Sequence, residues 1–431
     1  MKILSFITAF LIVVGSCRAQ NSEKLIKETE VERIIKTLSA DDMLGRAAFT
    51  EGAEKAASFI DSEFKQIGLQ PLTGERGFRQ TFYKTLISTG KSQVSVNGEN
   101  IDASKVLVLT DKPALTWTEN SPIDIIELKH GEDFFKRYRE ITEGNKSTLV
   151  FVDQTFALQF KQLKEHFAKG HAVDETNESA ATVFILGAQK GKTVIIDFEN
   201  QIEKKSLFNV AGILPGKSKE IEFVIFSGHY DHLGIVDPAE GDSIANGADD
   251  DASGITAVIS LAKYFKKLNN NKRTLIFVAF TAEESGGYGS KYFSSKLNPD
   301  HVIAMFNIEM IGKESKFGTN SAFITGFEKS NFGRILQRNL KGTKFTFHPD
   351  PYPEQNLFYR SDNATLAALG VPAHTISTDR IDRDKFYHTV NDEFETLNTA
   401  NITATIKAIA LSSRSIIAGK DSPKRIPKLK D

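Results

Sequence analysis

The sequence predicts an α/β protein: a mixed, mostly parallel sheet with helices on both faces, interrupted by an inserted β-rich domain. Three observations carry this reading. From Phe208 onward, apolar runs suited to buried strands alternate with helical stretches. Between about Ser88 and Lys204 the text changes to short β-rich runs separated by polar, Gly- or Asn-bearing turns. A chain of 431 residues has room for two to three domains.

The first residues, MKILSFITAFLIVVGSCRAQ, place one Lys before an apolar run from Ile3 to Val14, followed by small residues. This run is too short to span a bilayer and reads as a signal peptide. Cys-Arg-Ala before Gln20 suits ordinary cleavage. Val-Gly-Ser-Cys17 also resembles a bacterial lipobox, which would put a lipid anchor on Cys17. Cys17 is the single cysteine, so the mature chain gains no disulfide even in an oxidising compartment.

Glu28 to Leu69 reads as helical, with Ala53, Ala56, Ala57, Ile60, Phe64 and Ile67 on one face and Gly68 ending the run. Phe78–Leu86 reads as a first strand. Within the insert, Lys105–Leu109, Ser147–Val152, Thr182–Leu186 and Thr193–Phe198 read as strands. His130, His166 and His171 lie there without ligand-like spacing. Gly187 to Thr193, GAQKGKT, resembles a phosphate-binding loop. It has one residue too few between the glycines, and a strand-like Val-Ile-Ile follows where a helix would be required.

Past the insert, Ile221–Phe226, Leu275–Phe280, Val302–Ile308 and Val371–Ile376 read as strands. Ile255–Leu268 reads as a helix with Ile255, Val258, Ile259, Ala262 and Phe265 inward and Ser253 as its N-cap. The Lys- and Pro-rich stretch from Lys420 is predicted to be disordered. The expected organisation is a signal peptide over 1–19, the main domain over 20–88 and 205–415, the insert over 89–204, and a disordered tail over 416–431.

Lys plus Arg, 54, nearly balance Asp plus Glu, 55, so no broad basic field argues for nucleic acid. No later apolar stretch is long enough to span a membrane.

The chemistry gathers at strand ends. Ile221–Phe226 runs into His229-Tyr-Asp231-His232, Leu275–Phe280 into Glu283-Glu284, and Val302–Ile308 into Glu309. Val371–Ile376 leads through a loop to His388, and Asp249-Asp250-Asp251 precedes helix 255–268. In an open α/β sheet, ligands bind beyond the carboxyl ends of the strands. Imidazoles with carboxylates suit zinc. An aspartate can bridge two metals, and of two adjacent glutamates one can ligate while its neighbour serves as base. Each element alone has a plainer explanation: a His-x-Asp surface pair, aspartates favouring a helix N-terminus, a solvated Glu-Glu. Their joint occurrence at strand ends, in this order, is what those explanations leave out.

At these residues the chain resembles the M28 family of zinc metallopeptidases, the group of secreted leucyl aminopeptidases. The matching stretches are SGHYDHLG (227–234), NGADDDASG (246–254), FTAEESGGYGS (280–290), FNIEMIG (306–312), FYRSD (358–362) and YHTVNDE (387–393), with GR…EGAEKAASFI…GL upstream (45–69). The likeness covers most of residues 30–415, and the insert resembles a protease-associated domain. It implies a three-layer sandwich of the zinc-exopeptidase type and two zinc ions. His229 and Glu309 would hold one, Glu284 and His388 the other, and Asp250 would bridge them. Glu283 would be general base and then acid, Asp231 would orient the His229 ring by accepting its second N–H, and Tyr359 would donate to the oxyanion. Two positions depart from the pattern: Glu309 stands where many relatives have Asp, and Asn363 where some carry His.

The activity so implied is removal of N-terminal residues from peptides by an exported enzyme, whether periplasmic, secreted or lipid-anchored. The alternatives are a glutaminyl-cyclase-like acyl transferase, typically using one zinc, a carboxypeptidase or dipeptidase, and a non-catalytic binding module. Metal content and blocked-end substrates separate them.

Overall fold

A computed structural model describes residues 23–429, apart from 169, 178, 189, 192 and 240. The expected signal peptide and Cys17 lie outside the described residues. The chain divides into two compact units, one comprising the residues up to Phe82 and those from Leu207, the other Tyr83–Ser206.

In the first unit, strands β1 (Lys219–His229), β2 (Arg273–Phe280), β3 (Val302–Ile308), β4 (Ser321–Ile324), β5 (Thr346–Pro349) and β6 (Ala373–Ser377) form a sheet in the order β5-β4-β6-β3-β1-β2. Residues 210–214 add an antiparallel neighbour to β2. The β1–β2, β1–β3, β3–β6 and β4–β5 pairs are parallel, and β4–β6 is antiparallel. The sheet is therefore mixed and mostly parallel, as the strand–helix alternation predicts.

Helices α1 (Glu28–Leu38), α2 (Glu51–Ile67), α3 (Gly254–Leu268), α4 (Tyr288–Ser295), α5 (Phe332–Asn339), α6 (Asn363–Ala368) and α7 (Thr399–Ser412) complete the layers. One face of the sheet buries Val224, Phe226, Leu275, Phe277 and Phe306 against α1, α2, α3, α5 and α7. The other buries Ile225, Ile276, Val278 and Met305 against Phe293 of α4 and Leu366 of α6. Ile255, Val258, Ile259, Ala262 and Phe265 of α3 are buried, but so are Ala257, Leu261 and Tyr264 on its far side. The N-terminal part of the helix is enclosed because α1, α2 and α7 cover the side turned from the sheet, while Lys263, Lys266 and Lys267 toward its end reach solvent.

Four sequence expectations are corrected. Residues 28–69 are not one helix. A 3₁₀ segment, Asp41–Arg46, separates α1 from α2, with Leu44, Gly45, Arg46 and Phe49 at positive φ. Gly45 is required there, since a Cβ would lie 2.6 Å from the carbonyl oxygens of Gly234 and Ala245. Gly68 does end α2, at φ 76°. Ser253 does not cap α3: its backbone is already helical, and its hydroxyl donates to the Asp249 carbonyl and accepts the Ile311 N–H.

The C-terminal stretch is ordered by its contacts. The buried Arg273 guanidinium donates to the carbonyls of Ile416 and Asp421 and to Ser422, and Ile426 is 4% exposed in the core. Lys and Pro enrichment misled here, because one buried apolar residue, Ile426, the backbone and the side chains of Arg425 and Asp421 carry the docking.

The second unit is mixed α/β rather than mostly β. Its sheet runs Val106–Leu109, Thr182–Leu186, Thr148–Val152, Asp124–Leu128, antiparallel at the first pair and parallel at the other two. Helices Phe134–Thr142 and Ala157–Ala168 cover one face of it, burying Phe134, Ile141, Phe160 and Leu163. The side chain of Asp133 accepts the Lys136 N–H and starts the first of these helices. Gly187–Thr193 leads into a strand, Val194–Leu214. His171 pairs with Asp111 at 2.7 Å.

Ile426→Ala is expected to lower stability by about 2–4 kcal/mol, as for other buried aliphatic truncations. Denaturant unfolding would show this as a lower midpoint, and an unchanged midpoint would mean the C-terminal stretch does not pack.

Candidate active site

Strand register explains how residues far apart in sequence meet. His229 pairs with Phe280, Ser227 with Asn307, and Ile308 with Ile376. Glu309 thus stands level with His229, and Glu283-Glu284 begin three residues past Phe280, in the turn that follows β2. A cavity of about 280 Å³ is lined on this edge by Asp250, Glu283, Glu284 and Glu309.

Asp250 is at the centre. Its Oδ1 lies 3.1 Å from His229 Nε2 and its Oδ2 3.3 Å from His388 Nε2, while Glu284 Oε2 lies 3.2 Å from the same His388 nitrogen. Two ligands each about 2.1 Å from one zinc ion stand about 3–3.5 Å apart, so these separations fit shared metal ligation. His229 Nε2 is buried and makes no hydrogen bond of acceptable geometry, although Asp250 is close. A buried unpaired nitrogen is costly, and a metal ion at that point would satisfy it.

The flanking aspartates face the other way. Asp251, fully buried, accepts the N–H groups of His229 (3.1 Å), Gly254 (2.9 Å) and Met310 (3.2 Å). Gly228 admits it, since a Cβ there would sit 2.7 Å from its Oδ2. Asp249 accepts the Gly312 N–H at 2.7 Å and lies 3.4 Å from Lys313. Asp392 accepts the N–H groups of Asp249 and Asp250. Only the middle aspartate is left to face the cavity.

Asp231 differs from its expected role. The His229 Nδ1 lies 3.1 Å from the main-chain carbonyl of Asp231, and the carboxylate is 3.9 Å away. That carboxylate instead accepts the N–H groups of Glu283 and Glu284, at 3.1 and 3.3 Å. It fixes the glutamate turn through these two main-chain donors, while the His229 ring is held by the Asp231 carbonyl.

Tyr359 is not among the residues lining the cavity. Its ring packs edge-on against Phe358 and under the Lys329 ammonium, and Tyr387, stacked on His388 with ring centroids 3.8 Å apart, lines the cavity instead. Asn363 is structural, donating to the carbonyls of Phe358 and Ala373 and accepting from Thr375.

Two further residues support the site. His232 Nδ1 sits 2.9 Å from Glu284 Oε1 and 3.8 Å from Asp250 Oδ2. The ligand atoms of these three residues lie within 4.8 Å of one another. The hydrogen bond to Oε1 leaves Oε2 of Glu284 facing His388. His232 was visible in the HYDH stretch, but its partner was not.

Arg46, fully buried, donates to the carbonyls of Leu38, Tyr230, Asn246, Gly247 and Asp250. Nothing local marks it, because four of these acceptors lie far along the chain. Ala282, Met310 and His388, each at or beside a site residue, have φ of 56°, 50° and 57°. Such left-handed conformations cost about 1–3 kcal/mol each and persist only where surrounding bonds impose them.

Electrostatically, the pocket is short of positive charge. Burial pushes the Glu283 carboxyl up to about 10, opposed by His229 and reinforced by Glu309 and Asp362. Burial also raises Glu309, with His229 the main opposing influence. His388 is raised to about 10: burial works against its charge, but Asp250 and Glu284 outweigh it. The Asp250 carboxyl is held well below the usual range by His229 and His388, against the effect of burial.

The fold is that of known zinc aminopeptidases. The chain matches an aminopeptidase from Aneurinibacillus sp. strain AM-1 with a TM-score of 0.56 at 17% identity, covering 96% of this chain and 97% of that one. It matches BSAP, a zinc aminopeptidase from Bacillus subtilis, with a TM-score of 0.54 at 16% identity, covering 92% and 97%. Residues 209–412 match the model of peptidase family M28.

Among curated relatives, a vacuolar membrane protease of Schizosaccharomyces pombe is 26% identical over 49% of this chain and 19% of its own length. A probable zinc metalloprotease of Pyrenophora tritici-repentis is 32% identical over 26% of this chain and 23% of its own. The chain thus spans about a fifth to a quarter of the length of these relatives.

Arg46→Lys leaves at least two buried carbonyls without donors and should cost about 3 kcal/mol. The check is urea unfolding of the two proteins; equal midpoints would remove Arg46 as the support of the 246–250 loop.

Proposed function

We propose that the chain is a two-zinc aminopeptidase that hydrolyses N-terminal residues from peptides. One observation carries it: the two oxygens of a single carboxylate, Asp250, face two different imidazoles, His229 and His388. A bridging carboxylate serves two metal ions about 3.5–4 Å apart. His229 and Glu309 would hold one ion, Glu284 and His388 the other.

Zinc bound here would polarise the scissile carbonyl and acidify a water. Glu283, its main chain held by Asp231, is free to take a proton from the attacking water and deliver it to the leaving amine. Burial favours its protonated form, and positive charge at the neighbouring ligands would draw its pKa back toward neutrality, where a group can both accept and donate. Tyr387, at the cavity wall and stacked on His388, is the tyrosine placed to serve the role expected of Tyr359.

Export rests on the leader-like run Ile3–Val14. Among the described residues no helix is long and apolar enough to cross a membrane. By its resemblance to a protease-associated domain, the 83–206 unit serves as an accessory to the peptidase unit.

Two outcomes test the assignment. Elemental analysis should give two zinc ions per chain, and Glu283→Gln should keep both while losing turnover of aminoacyl p-nitroanilides by about 10²–10⁴-fold. Near-normal turnover with zinc retained would remove Glu283 as the base. One zinc per chain, with cyclisation of N-terminal Gln peptides, would replace hydrolysis by acyl transfer.

Zinc binding should also release protons. Ligation requires neutral imidazole, whereas His388, raised to about 10, is protonated at pH 7, and the neighbouring carboxylates also raise His229 well above its ordinary range against the effect of burial. Affinity should therefore rise with pH between 6 and 8. Calorimetry in buffers of different ionisation enthalpy reads the release directly, and a buffer-independent heat would contradict it.

A further inference from the structure

The cavity beside the catalytic carboxylates carries a second acidic feature that the chemistry does not use. Met310, Phe323, Leu357, Ile381 and Tyr387 give it apolar walls, Asp379 and Asp384 open into the same space, and Arg360 is the one cationic side chain among the described residues that lines it. Asp379 is 8% exposed. It follows β6 directly, on a segment fixed by the Thr378 N–H and the Ser377 hydroxyl, both donating to the Met310 carbonyl at 3.0 Å. Its position is thus set by main-chain bonds to the residue after Glu309.

The carboxyl of Asp379 accepts the Arg380 N–H at 2.6 Å, and among the described residues no cationic side chain pairs with it. The nearby ammonium, Lys313, is engaged by Asp384 at 2.7 Å and by Asp249 at 3.4 Å. Three carboxyl groups therefore share one cation. Metal ions at the neighbouring ligands would neutralise Asp250, Glu284 and Glu309 but leave Asp379 uncompensated. Burial, together with Asp249 and Asp384, pushes Asp379 up to about 8, a penalty that a cation entering the cavity would relieve.

We propose that Asp379 selects a basic side chain, lysine or arginine, on the residue whose peptide bond is cleaved. This rests on the aminopeptidase reading above. A lysine or arginine has an apolar stem and a charged head, which matches a cavity with apolar walls and one unpaired buried carboxylate. A charge-assisted hydrogen bond in such a place is about twice as strong as a neutral one. A leucine in the same cavity would leave the carboxyl without a partner.

The test uses the zinc-loaded full chain and two independent readouts. Calorimetry compares binding of L-lysinamide with L-norleucinamide, which has the same stem without the charge. Kinetics compares kcat/KM on the p-nitroanilides of lysine and leucine. The wild type should favour the lysine compound at least tenfold in both. Asp379→Asn should bring both ratios down at least tenfold, and Asp379→Glu, which restores the charge, should recover the preference.

Equal binding of the two amides by the wild type would overturn the proposal. So would an Asp379→Asn protein, shown to be folded by its melting temperature, that weakens both amides alike, since Asp379 would then hold the α-amine or the fold. A lysinamide preference without hydrolysis of either p-nitroanilide would leave the basic subsite standing and sink the aminopeptidase reading instead.

Discussion

The buried carboxylate of Asp251 is the tie on which the site depends. It accepts three main-chain N–H groups, from His229 at the end of β1, Met310 just past β3, and Gly254 at the start of α3. Those three segments carry His229, Glu309 and Asp250. Parallel strand register brings the segments to one edge, but register alone leaves the loops free to differ by several ångströms. Asp251 removes that freedom with bonds to main chain, so the ligand side chains remain available. Every one of these donors would otherwise be buried and unpaired, and burial still raises the Asp251 carboxyl well above its ordinary range.

The same division recurs around the site. Asp392 holds the main chain of Asp249 and Asp250, Asp231 holds that of Glu283 and Glu284, and Arg46 holds the carbonyls of the 246–250 loop. Charged groups bind the backbone from behind, and a second set of charged groups faces the cavity. This arrangement tolerates left-handed backbone at Ala282, Met310 and His388 because the anchoring bonds exceed the local cost. It also concentrates acid. Burial raises Glu283, Glu309 and Asp379 alike, a penalty that incoming positive charge would relieve.

Much of this was legible in sequence, and the exceptions have physical causes. Strands with continuous apolar runs, such as Val302–Ile308, were located to the residue because burial on both faces leaves no ambiguity. The residues meeting at Asp250 were visible as polar breaks at strand ends. The helix at 28–69 was misjudged because the break at Gly45 is imposed by Gly234 and Ala245, some 200 residues on. Phe134–Thr142 was missed for its brevity and its charged outer face. The C-terminal stretch looked disordered by composition, although Arg273 and the site of Ile426 determine its path. Arg46 left no local mark, since its acceptors are assembled only in the fold. The choice of Asp250 over its neighbours came from resemblance; in the structure it follows from what Asp249 and Asp251 are bonded to.

Anchors and ligands are therefore adjacent in sequence yet answer to different constraints. In Asp249-Asp250-Asp251 the outer two serve the backbone and the middle one the cavity, and the segment is fully buried. If all three faced the cavity, their mutual repulsion in a poorly solvated space would exceed what two imidazoles can offset. If none did, His229 Nε2 would stay buried without a partner. Alternation along the triplet reconciles the two demands: the carboxyls turned away from the cavity accept main-chain N–H groups, and the single one turned inward is set between two imidazoles. Removing an outer aspartate should thus act on folding and the inner one on metal, even though the three are chemically identical and contiguous.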